Sequence, residues 1–490
     1  MTLASEAWRR SAQDRWRDLP EQTRRAIVIG AEVVIAIGLW AWVAELGWGF
    51  AYVAGFLWTL KVEDARIRWA LEAAMTVLSL VFLTPLGIIT AAIFALQELP
   101  PRYRRWALPA AAIAAAALYP FYVGHLFTLP VFGPFPDVST GVVMIVFVMM
   151  AVGLNIVVGY AGLLDLGYVA FYAMGAYSAA WFASLQFPHQ KIHFGAVGIS
   201  PDLPGIHISI WAILAIAAIL TAFAGVVIGL PTLRLRGDYL AIVTLGFGEI
   251  LPQIARNGDN LFGTGFNLTN GPNGITPLDA PGFGERLSGW TGGALPANYL
   301  TAANADKLFF WTALALALIT VFCSWRLRDS RLGRAWIAIR EDEIAAAAMG
   351  VPLMRTKTWA YASGAFFGGI AGAYYAAFKS ATFPGDFFFN ISVFILCMVI
   401  LGGMGNIWGV ILGAAFLSYL DREGLANTGS WLNDNLHVHI DVPLYAAGIY
   451  GLIILIVMLF RPEGLIPDRR RTHELHEGVA EDSLYGAESA

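Results

Sequence analysis

Long runs of apolar residues recur along this chain, and they restrict its possible folds more than any other feature of the sequence. A helix rises ~1.5 Å per residue and the hydrocarbon core of a bilayer is ~30 Å thick, so runs of about 20 residues can cross it. Helices also satisfy their own backbone hydrogen bonds within lipid. Short runs, above all 407–420, leave tilt or re-entry open. The ten candidate spans after residue 106 are 107–129, 141–164, 168–185, 208–230, 238–255, 308–325, 359–378, 387–402, 407–420 and 443–460.

The first hundred residues add two further candidate spans, 26–44 and 73–96. The aromatic segment 47–60 fits an interfacial element better than a span. Residues 1–25 carry six arginines and form either a membrane-surface segment or a solvated tail. We therefore predict an all-α polytopic membrane protein of about 12 transmembrane helices. Its predicted parts are an accessory N-terminal region (1–106), a ten-helix core (107–467) and a charged tail (468–490).

Composition excludes several classes of function. The chain is 58% hydrophobic, which rules out an ordinary soluble protein, and its net charge of −4 gives no case for nucleic acid binding. The sequence contains no G-K-[ST] motif, so we expect no ATP site in this chain. It shows no plausible catalytic or metal-binding constellation either, and we do not expect an enzyme.

The distribution of basic residues predicts the topology, because cytoplasmic loops are enriched in lysine and arginine. The basic clusters all fall on one side if the span count is right, and that side is cytoplasmic together with both termini. The loop 256–307, including Ser288, is then outside. The basic clusters are Arg102, Arg104, Arg105, Arg234, Arg236, the segment 326–357, Arg461 and Arg469–Arg471.

The segment 326–357 is a polar island between two apolar runs. It holds seven basic and four acidic residues in a chain that is only 13% charged. Its pattern predicts one amphipathic helix from Leu332 to Met349, with Gly350 after it and Pro352 as a stop. Two interpretations stay open from the pattern alone. The helix fits into a groove of another protein, or it is a solvated loop helix that contacts nothing.

Glycines within the predicted spans are a second informative feature of the sequence. Small residues allow membrane helices to approach closely, and they also permit broken helices that line a cavity. Of the ionisable groups, Glu249 is expected to face the interior and Asp165 to lie in water near an inner turn. A proton relay needs several such groups, which argues against an ion-coupled transporter. The candidates for the translocation path are Asn155, Gly159, Gly162, Tyr172, Gly175, Thr244, Glu249, Gly402, Gly403 and Gly405.

Six motifs occur along the chain in an order that is similar to that of one protein family. The chain resembles the LivM-type permease subunit of bacterial ABC importers for branched-chain amino acids over roughly 107–467. Six motifs in this order and spacing are far more specific than any one of them. The motifs are GLNIVVGYAGLLDLGYVAFYAMGAYSAA (153–180), LPTLRLRGDYLAIVTLGFGEI (230–250), TNGPNGI (269–275), RLGRAWIAIREDEIAAAAMGV (331–351), LGGMGNIWGVILGAA (401–415) and RPEGLIP (461–467).

This resemblance implies a role for the polar island. In the family, the segment that matches 339–350 is the coupling helix that docks on the ATPase subunit, with Glu343 as the acidic residue of the motif and Gly350 as its glycine. The resemblance therefore favours docking on another protein over the solvated-loop interpretation. The outer loop is the expected contact for a binding protein. The coupling candidates are Arg340, Glu341, Asp342, Glu343, Ala346 and Gly350, and the binding-protein candidates are Asn270, Gly271, Pro272, Asn273 and Gly274.

The resemblance also implies partners and substrates. The partners are a LivH-type sister permease, two ABC ATPase subunits, a periplasmic amino-acid-binding protein and the lipid of the inner membrane. This chain binds no cofactor itself, and ATP and Mg²⁺ belong to the ATPase subunits. The implied substrates are leucine, isoleucine and valine. Relatives with the same glycine motifs carry urea or short amides, which is one alternative, and a free-standing secondary transporter is another.

Overall fold

The computed structural model divides the chain into two compact units, Met1–Phe135 and Pro136–Ala490. In the first unit, helix α1 spans Pro101–Tyr122. The predicted elements at 26–44 and 47–60, and most of 73–96, lie outside the described residues, so the count of about 12 helices and the position of the termini stay predictions. The structure describes residues 71–76, 100–125, 132–196, 200, 202–233, 238–261, 263–279, 281–283, 302–436, 441–461 and 463–466.

The second unit has a helix at each span predicted there. Four helices in the described residues are long and apolar enough to cross a membrane, at Val138–Tyr160, Ile210–Thr232, Ala305–Arg328 and Val442–Leu459. The helices are α2 (Val138–Asn155), α3 (Val169–Phe182), α4 (Ile210–Thr232), α5 (Asp238–Arg256), α6 (Ala302–Arg328), α7 (Arg331–Glu341), α8 (Glu343–Ala348), α9 (Leu353–Lys379), α10 (Phe389–Gly402), α11 (Ile407–Tyr419), α12 (Leu425–Leu436) and α13 (Ala446–Phe460).

Helices α2 and α9 form the centre of this bundle. The most apolar stretch of α2, extended to Tyr160, is 89% buried, whereas that of Val442–Leu459 is only 11% buried. Helix α9 packs against α4, α3 and α2, while α6, α10 and α11 pack on α2. Both stretches are strongly apolar, so apolarity alone does not predict which helix is buried in the bundle. Small residues at the contacts between helices let the neighbouring backbones approach closely.

The crossing of α3 and α9 shows this close approach. Gly175 on α3 lies against the backbone of Gly369 on α9, and a Cβ atom at Gly175 would clash with the Gly369 carbonyl oxygen. On the other side of α9, a Cβ at Gly369 would clash with the Thr221 side chain on α4. Lipid tails are as apolar as leucine, so packing of this kind rather than hydrophobic transfer holds membrane helices together.

The polar island contains two helices instead of the single helix predicted for Leu332–Met349, which is a correction. Helix α7 ends at Glu341 and α8 begins at Glu343. Asp342 between them adopts an extended conformation, with φ −151° and ψ 111°. Its Oδ1 accepts hydrogen bonds from the backbone N–H groups of Ile344 and Ala345, at 2.8 and 3.1 Å. The aspartate therefore acts as the N-cap that starts a new helix.

Two features of the second unit were not predicted. Helix α12 follows a π-helical turn at Leu420–Gly424. A small mixed sheet joins α3 to α4, with β3 (Gly205–Ile208) between β1 (Ala183–Ser184), which is antiparallel to it, and β2 (Lys191–Phe194), which is parallel to it. Strands this short carry little sequence signal. They form because neighbouring segments supply partners for their backbone groups.

Candidate functional site

Helices α7 and α8 of the island are anchored on one side to the first turns of α9. Trp336 of α7 is fully buried, and its indole N–H donates to the backbone carbonyl of Thr356 on α9, at 2.8 Å. Glu343 at the start of α8 forms an ion pair with Lys357 on α9, with 2.8 Å between Oε1 and Nζ. Lys357 is only 4% exposed. Displacement of the two short helices would therefore act on the first turns of α9.

The other side of the island is exposed and partly apolar. Ile344 is 74% exposed and Met349 is 85% exposed, whereas Ala346 between them is buried against the protein. Alanines 345, 347 and 348 are exposed as well. Ile344 of the six-residue helix α8 and Met349 directly after it therefore present two large apolar side chains among exposed methyl groups, a small surface available to a partner. Among the predicted coupling residues, Glu341 and Asp342 are exposed, while Arg340 and Glu343 are half-buried.

Gly350 ends α8 with a left-handed turn. Its φ is +84°, its N–H donates to the carbonyl of Ala347, and the N–H of Val351 donates to the carbonyl of Ala346, each at 3.0 Å. This is the Schellman arrangement, which favours glycine because a Cβ atom is strained at positive φ. A Cβ atom here would meet no neighbour within 4 Å, so the turn itself requires the glycine.

A break between α2 and α3 lies next to the island. Helix α2 passes into a π-helical turn at Ile156–Tyr160, and residues 161–167 leave helical geometry. Arg340 of α7 donates from its guanidinium to the Gly159 carbonyl oxygen. Gly162, at φ +68°, lies under the same side chain, since a Cβ atom there would be 2.8 Å from the Arg340 Cγ. Single π turns within α-helices occur often at functional sites.

Polar side chains from two other helices, and one from the break itself, accept hydrogen bonds from the backbone of residues 166–169. Thr244 on α5 accepts from the N–H of Leu166 at 3.1 Å, and Ser392 on α10 accepts from the N–H of Val169 at 2.8 Å. Asp165 accepts from the N–H of Gly167 at 2.8 Å. Ser392 was missed from the sequence, because a lone serine in an apolar run gives no signal of its partner.

Asp165 is buried, not in water, which corrects the expectation from the sequence. It is 1% exposed, and the buried hydroxyl of Tyr361 on α9 lies beside its carboxyl group. The sequence places this aspartate between two apolar runs, where a water-exposed turn is the ordinary interpretation. Only the folding of the break back into the bundle removes it from solvent.

The turn between α10 and α11, which contains Gly402, Gly403 and Gly405, lies against the end of α2. The buried side chain of Asn155 accepts from the Gly405 N–H at 2.9 Å through its Oδ1. The C-terminal segment pairs with the same turn, since the N–H of Leu465 donates to the Leu401 carbonyl at 2.9 Å. The Nδ2 of Asn406 donates to the Ile466 carbonyl at 3.1 Å. Gly402 and Gly403 lie between these paired segments, and a Cβ atom on either would approach neighbouring backbone closely.

The remaining path candidates divide between the core and the outer face of the bundle. Tyr172 is buried with its ring 5.3 Å from that of Phe387 and 5.7 Å from that of Tyr375. Gly175 lies at the crossing with α9. Glu249 was predicted to face the interior. In this chain it lies on the exposed side of α5. Tyr239, Ile242, Ile250 and Ile254 are exposed on that helix too.

The predicted binding-protein contacts lie in an ordered loop. Pro272 and Asn273 are exposed, whereas Gly271 and Gly274 are buried. The Nδ2 of Asn270 donates to the Gly274 carbonyl at 2.7 Å and closes the turn. A cleft of about 550 Å³ opens beside it, with walls from two loops. Its lining includes Gln186, Phe187, His189, Asn267, Asn270 and Thr276.

A histidine–aspartate pair ties the small sheet to this loop. His207 on β3 is fully buried, and its Nδ1 lies 2.8 Å from Oδ2 of Asp279. The ring of His193 on β2 stacks on that of His207, with 5.0 Å between the centroids. Partial burial raises the pKa of the Asp279 carboxyl, although the neighbouring histidine acts in the opposite direction. The pair holds two loops together at one end of the bundle.

Apolar helices of membrane-spanning length, a broken helix rich in glycine and an exposed loop-helix pair define a multi-pass membrane permease. The chain belongs to the permease component family of branched-chain amino acid transport systems, whose family model matches residues 138–459. No solved structure shows a significant match to this chain.

Three curated relatives support this membership. The chain is 36% identical over 416 residues to the high-affinity branched-chain amino acid transport system permease protein LivM of Escherichia coli, covering 80% of this chain and 87% of that protein. It is 35% identical over 378 residues to the LivM protein of Salmonella typhimurium, covering 76% and 77%. A probable LivM of Methanocaldococcus jannaschii is 26% identical over 347 residues, covering 66% and 91%.

Proposed function

We propose that this chain is the membrane-spanning permease subunit of an ATP-driven importer for leucine, isoleucine and valine in the bacterial inner membrane. The support for the transport class is its family and its similarity to permeases named for branched-chain amino acids. The support for ATP-driven coupling is the exposed face of α8, formed by Ile344, Met349 and the alanines beside them. This face gives a soluble partner a surface to bind.

The partner at this face is an ABC ATPase subunit. Because the chain has no phosphate-binding motif of its own, ATP and Mg²⁺ bind to two such subunits. The anchored side of the island carries their movement into the bundle through Trp336, Arg340 and Glu343. A transport cycle requires that each state of the bundle be favoured by different contacts in different nucleotide states, and the island supplies a place for that difference.

The sister permease lies against α5. Glu249 is exposed there among large apolar side chains, and a carboxylate facing lipid is costly. A second permease subunit on this face would remove Glu249 from lipid and place it at a shared interface. The translocation path then runs between the two subunits, with α5 as one wall.

A binding protein delivers the substrate at the loop that contains Pro272 and Asn273. The exposed residues of this loop, the cleft beside it and the His207–Asp279 pair form an ordered surface at the opposite end from the island in the predicted topology. A loop held by internal hydrogen bonds loses little further freedom on binding, which favours a rigid partner.

Cysteine labelling tests this topology. After replacement of Cys323 and Cys397 by serine, single cysteines are introduced as Asn273→Cys and Met349→Cys, both at exposed positions. An impermeant thiol reagent applied to intact cells should label position 273 and leave position 349 unlabelled until the membrane is opened. Equal labelling at position 349 in intact cells would reverse the orientation and remove the island from the reach of ATPase subunits.

Reconstituted vesicles test the substrate. They contain this chain, a LivH-type sister permease, two ABC ATPase subunits and a periplasmic amino-acid-binding protein. We expect ATP-dependent uptake of labelled leucine, abolished when the binding protein is left out. Urea or acetamide uptake without leucine uptake would assign the chain to the amide-transporting relatives. Leucine uptake that continues without ATPases would instead show a free-standing secondary transporter.

A further inference from the structure

The structure assigns Arg340 a positioning role inside its own chain: we propose that it transmits the state of the island to the π-helical turn Ile156–Tyr160. This inference rests on the proposed function, because it presumes that an ATPase moves the island. It differs from docking, since the Arg340 guanidinium donates to the Gly159 carbonyl oxygen of its own chain. The resulting claim is that Arg340 governs coupling and leaves binding of the ATPase subunits intact.

The contacts of Arg340 support this role. Its guanidinium donates to the carbonyl oxygen of Gly159, a residue 181 positions earlier in the chain. Its aliphatic stem lies against Gly162, where even one added Cβ atom would be 2.8 Å from the Arg340 Cγ. The contacts made by Trp336 and Glu343 go to α9 instead. Arg340 therefore joins the island to the break between α2 and α3.

The π-helical turn is an element with two possible registers. In the structure the N–H of Ala161 donates to the carbonyl of Ile156, five residues earlier, at 3.3 Å. Return to α-helical register would rotate the following residues by one position, roughly 100° and 1.5 Å along the axis. In the structure, the hydrogen bond from Arg340 to Gly159 is present while the turn is in the π-helical register. Withdrawal of Arg340 would remove a charged donor from that carbonyl and favour the other register.

A change of register in this turn would act on the α10–α11 turn through Asn155. Asn155, immediately before the turn, is completely buried and packs against Gly159, where a Cβ atom would clash with its Oδ1. The same oxygen accepts from the Gly405 N–H at 2.9 Å. A change of register at Gly159 must therefore shift Asn155 or break its bond to the α10–α11 turn. Arg340, Gly159, Asn155 and Gly405 form one continuous chain of contacts.

Arg340→Gln tests the proposal in the complete reconstituted transporter. The matched control is Arg334→Gln, an exposed arginine of the same helix whose guanidinium donates to the carbonyl of Asp329. We expect both variants to retain their ATPase subunits on purification. Leucine transported per ATP hydrolysed should fall roughly three- to thirtyfold in Arg340→Gln and stay normal in the control, the range typical of a lost coupling contact.

Hydrogen–deuterium exchange provides a readout that a purely structural role would not produce. In the unsubstituted transporter, a peptide covering residues 156–168 should exchange at different rates without nucleotide and with ATP trapped. In Arg340→Gln the two rates should become equal. If the Arg340→Gln permease does not fold and reach the membrane, Arg340→Lys keeps the positive charge with a single donor group and should show a partial loss of the difference.

Three results would overturn the proposal. A normal ratio of transport to hydrolysis in both Arg340 variants would show that the contact is not used. Equal exchange of residues 156–168 in both nucleotide states of the unsubstituted transporter would show that the turn does not change. Loss of the ATPase subunits from Arg340→Gln would place the residue in docking. In none of these cases would the docking face at Ile344 and Met349, and with it the proposed function, be affected.

Discussion

Aspartate at both Ile344 and Met349 is expected to release the ATPase subunits and stop leucine uptake. The two side chains are 74% and 85% exposed, and they are the large apolar groups of the α8 face. Burial of such a side chain in an interface is worth about 1.5–3 kcal/mol, and a buried carboxylate without a partner adds a desolvation cost. The pair should therefore weaken the complex by roughly a hundredfold or more. Co-purification of the ATPases and uptake by vesicles measure the effect.

A matched control keeps the surface apolar. Leucine at both positions preserves area and chemistry, and it should leave the subunits bound and uptake near normal. Both variants alter side chains that point away from the bundle, so membrane levels of the permease should not change. Full retention of the ATPases in the double-aspartate variant would show that another surface holds them.

These positions test docking more cleanly than Glu343, the acidic residue of the matched motif. Glu343 forms an ion pair with the nearly buried Lys357 of its own chain. Reversal of its charge would place two ammonium groups side by side and disturb the start of α9. A loss of uptake in Glu343→Lys would therefore not distinguish a damaged interface from a damaged bundle.

The second large effect is expected from Gly175→Ala at the crossing of α3 and α9. The added Cβ would clash with the Gly369 carbonyl oxygen, and backbone on both helices cannot move aside as a flexible side chain can. Overpacking usually costs about 1–3 kcal/mol, and a rigid neighbour places this site at the upper end. We expect less protein in the membrane and a lower thermal midpoint in detergent.

Gly451→Ala is the control for this prediction. Gly451 lies on the exposed side of α13, and a Cβ atom there meets nothing within 4 Å. Alanine in a helix is favoured over glycine by about 0.5–1 kcal/mol, so the control should be as stable as the unsubstituted protein or slightly more so. Equal stability of the two variants would mean that α3 and α9 are not held at this distance in the membrane.

The local structure of the island was only partly predictable. Its place between two apolar runs and its charged character are direct properties of the sequence. The division into two helices depends on Asp342, which favours an N-cap but is also tolerated within a helix. The sequence alone did not show which of these conformations applies. The contacts of Trp336 with α9 and of Arg340 with Gly159 bridge distant segments, so no local pattern could reveal them.

The ionisable residues show a similar limit. Asp165 and Glu249 were both recognised as unusual within an apolar chain, but the sequence did not show that Asp165 is buried or that Glu249 lies on the exposed side of α5. Asp165 is buried because the break between α2 and α3 folds back against α9 and α10. Glu249 is exposed because α5 turns its other side, with Thr244, toward that break. Which side of a membrane helix faces the bundle depends on its neighbours.

The sequence by itself determined that the chain is helical, that it is a membrane permease of this family and that a polar island interrupts its spans. These properties follow from hydrophobicity, length and the order of motifs, which are local or additive along the chain. Only the tertiary structure decided which glycines bring helices together, which side of α8 is free and where the Arg340 side chain points. Such features arise from contacts between residues far apart in sequence, and their geometry exists only after the helices have packed.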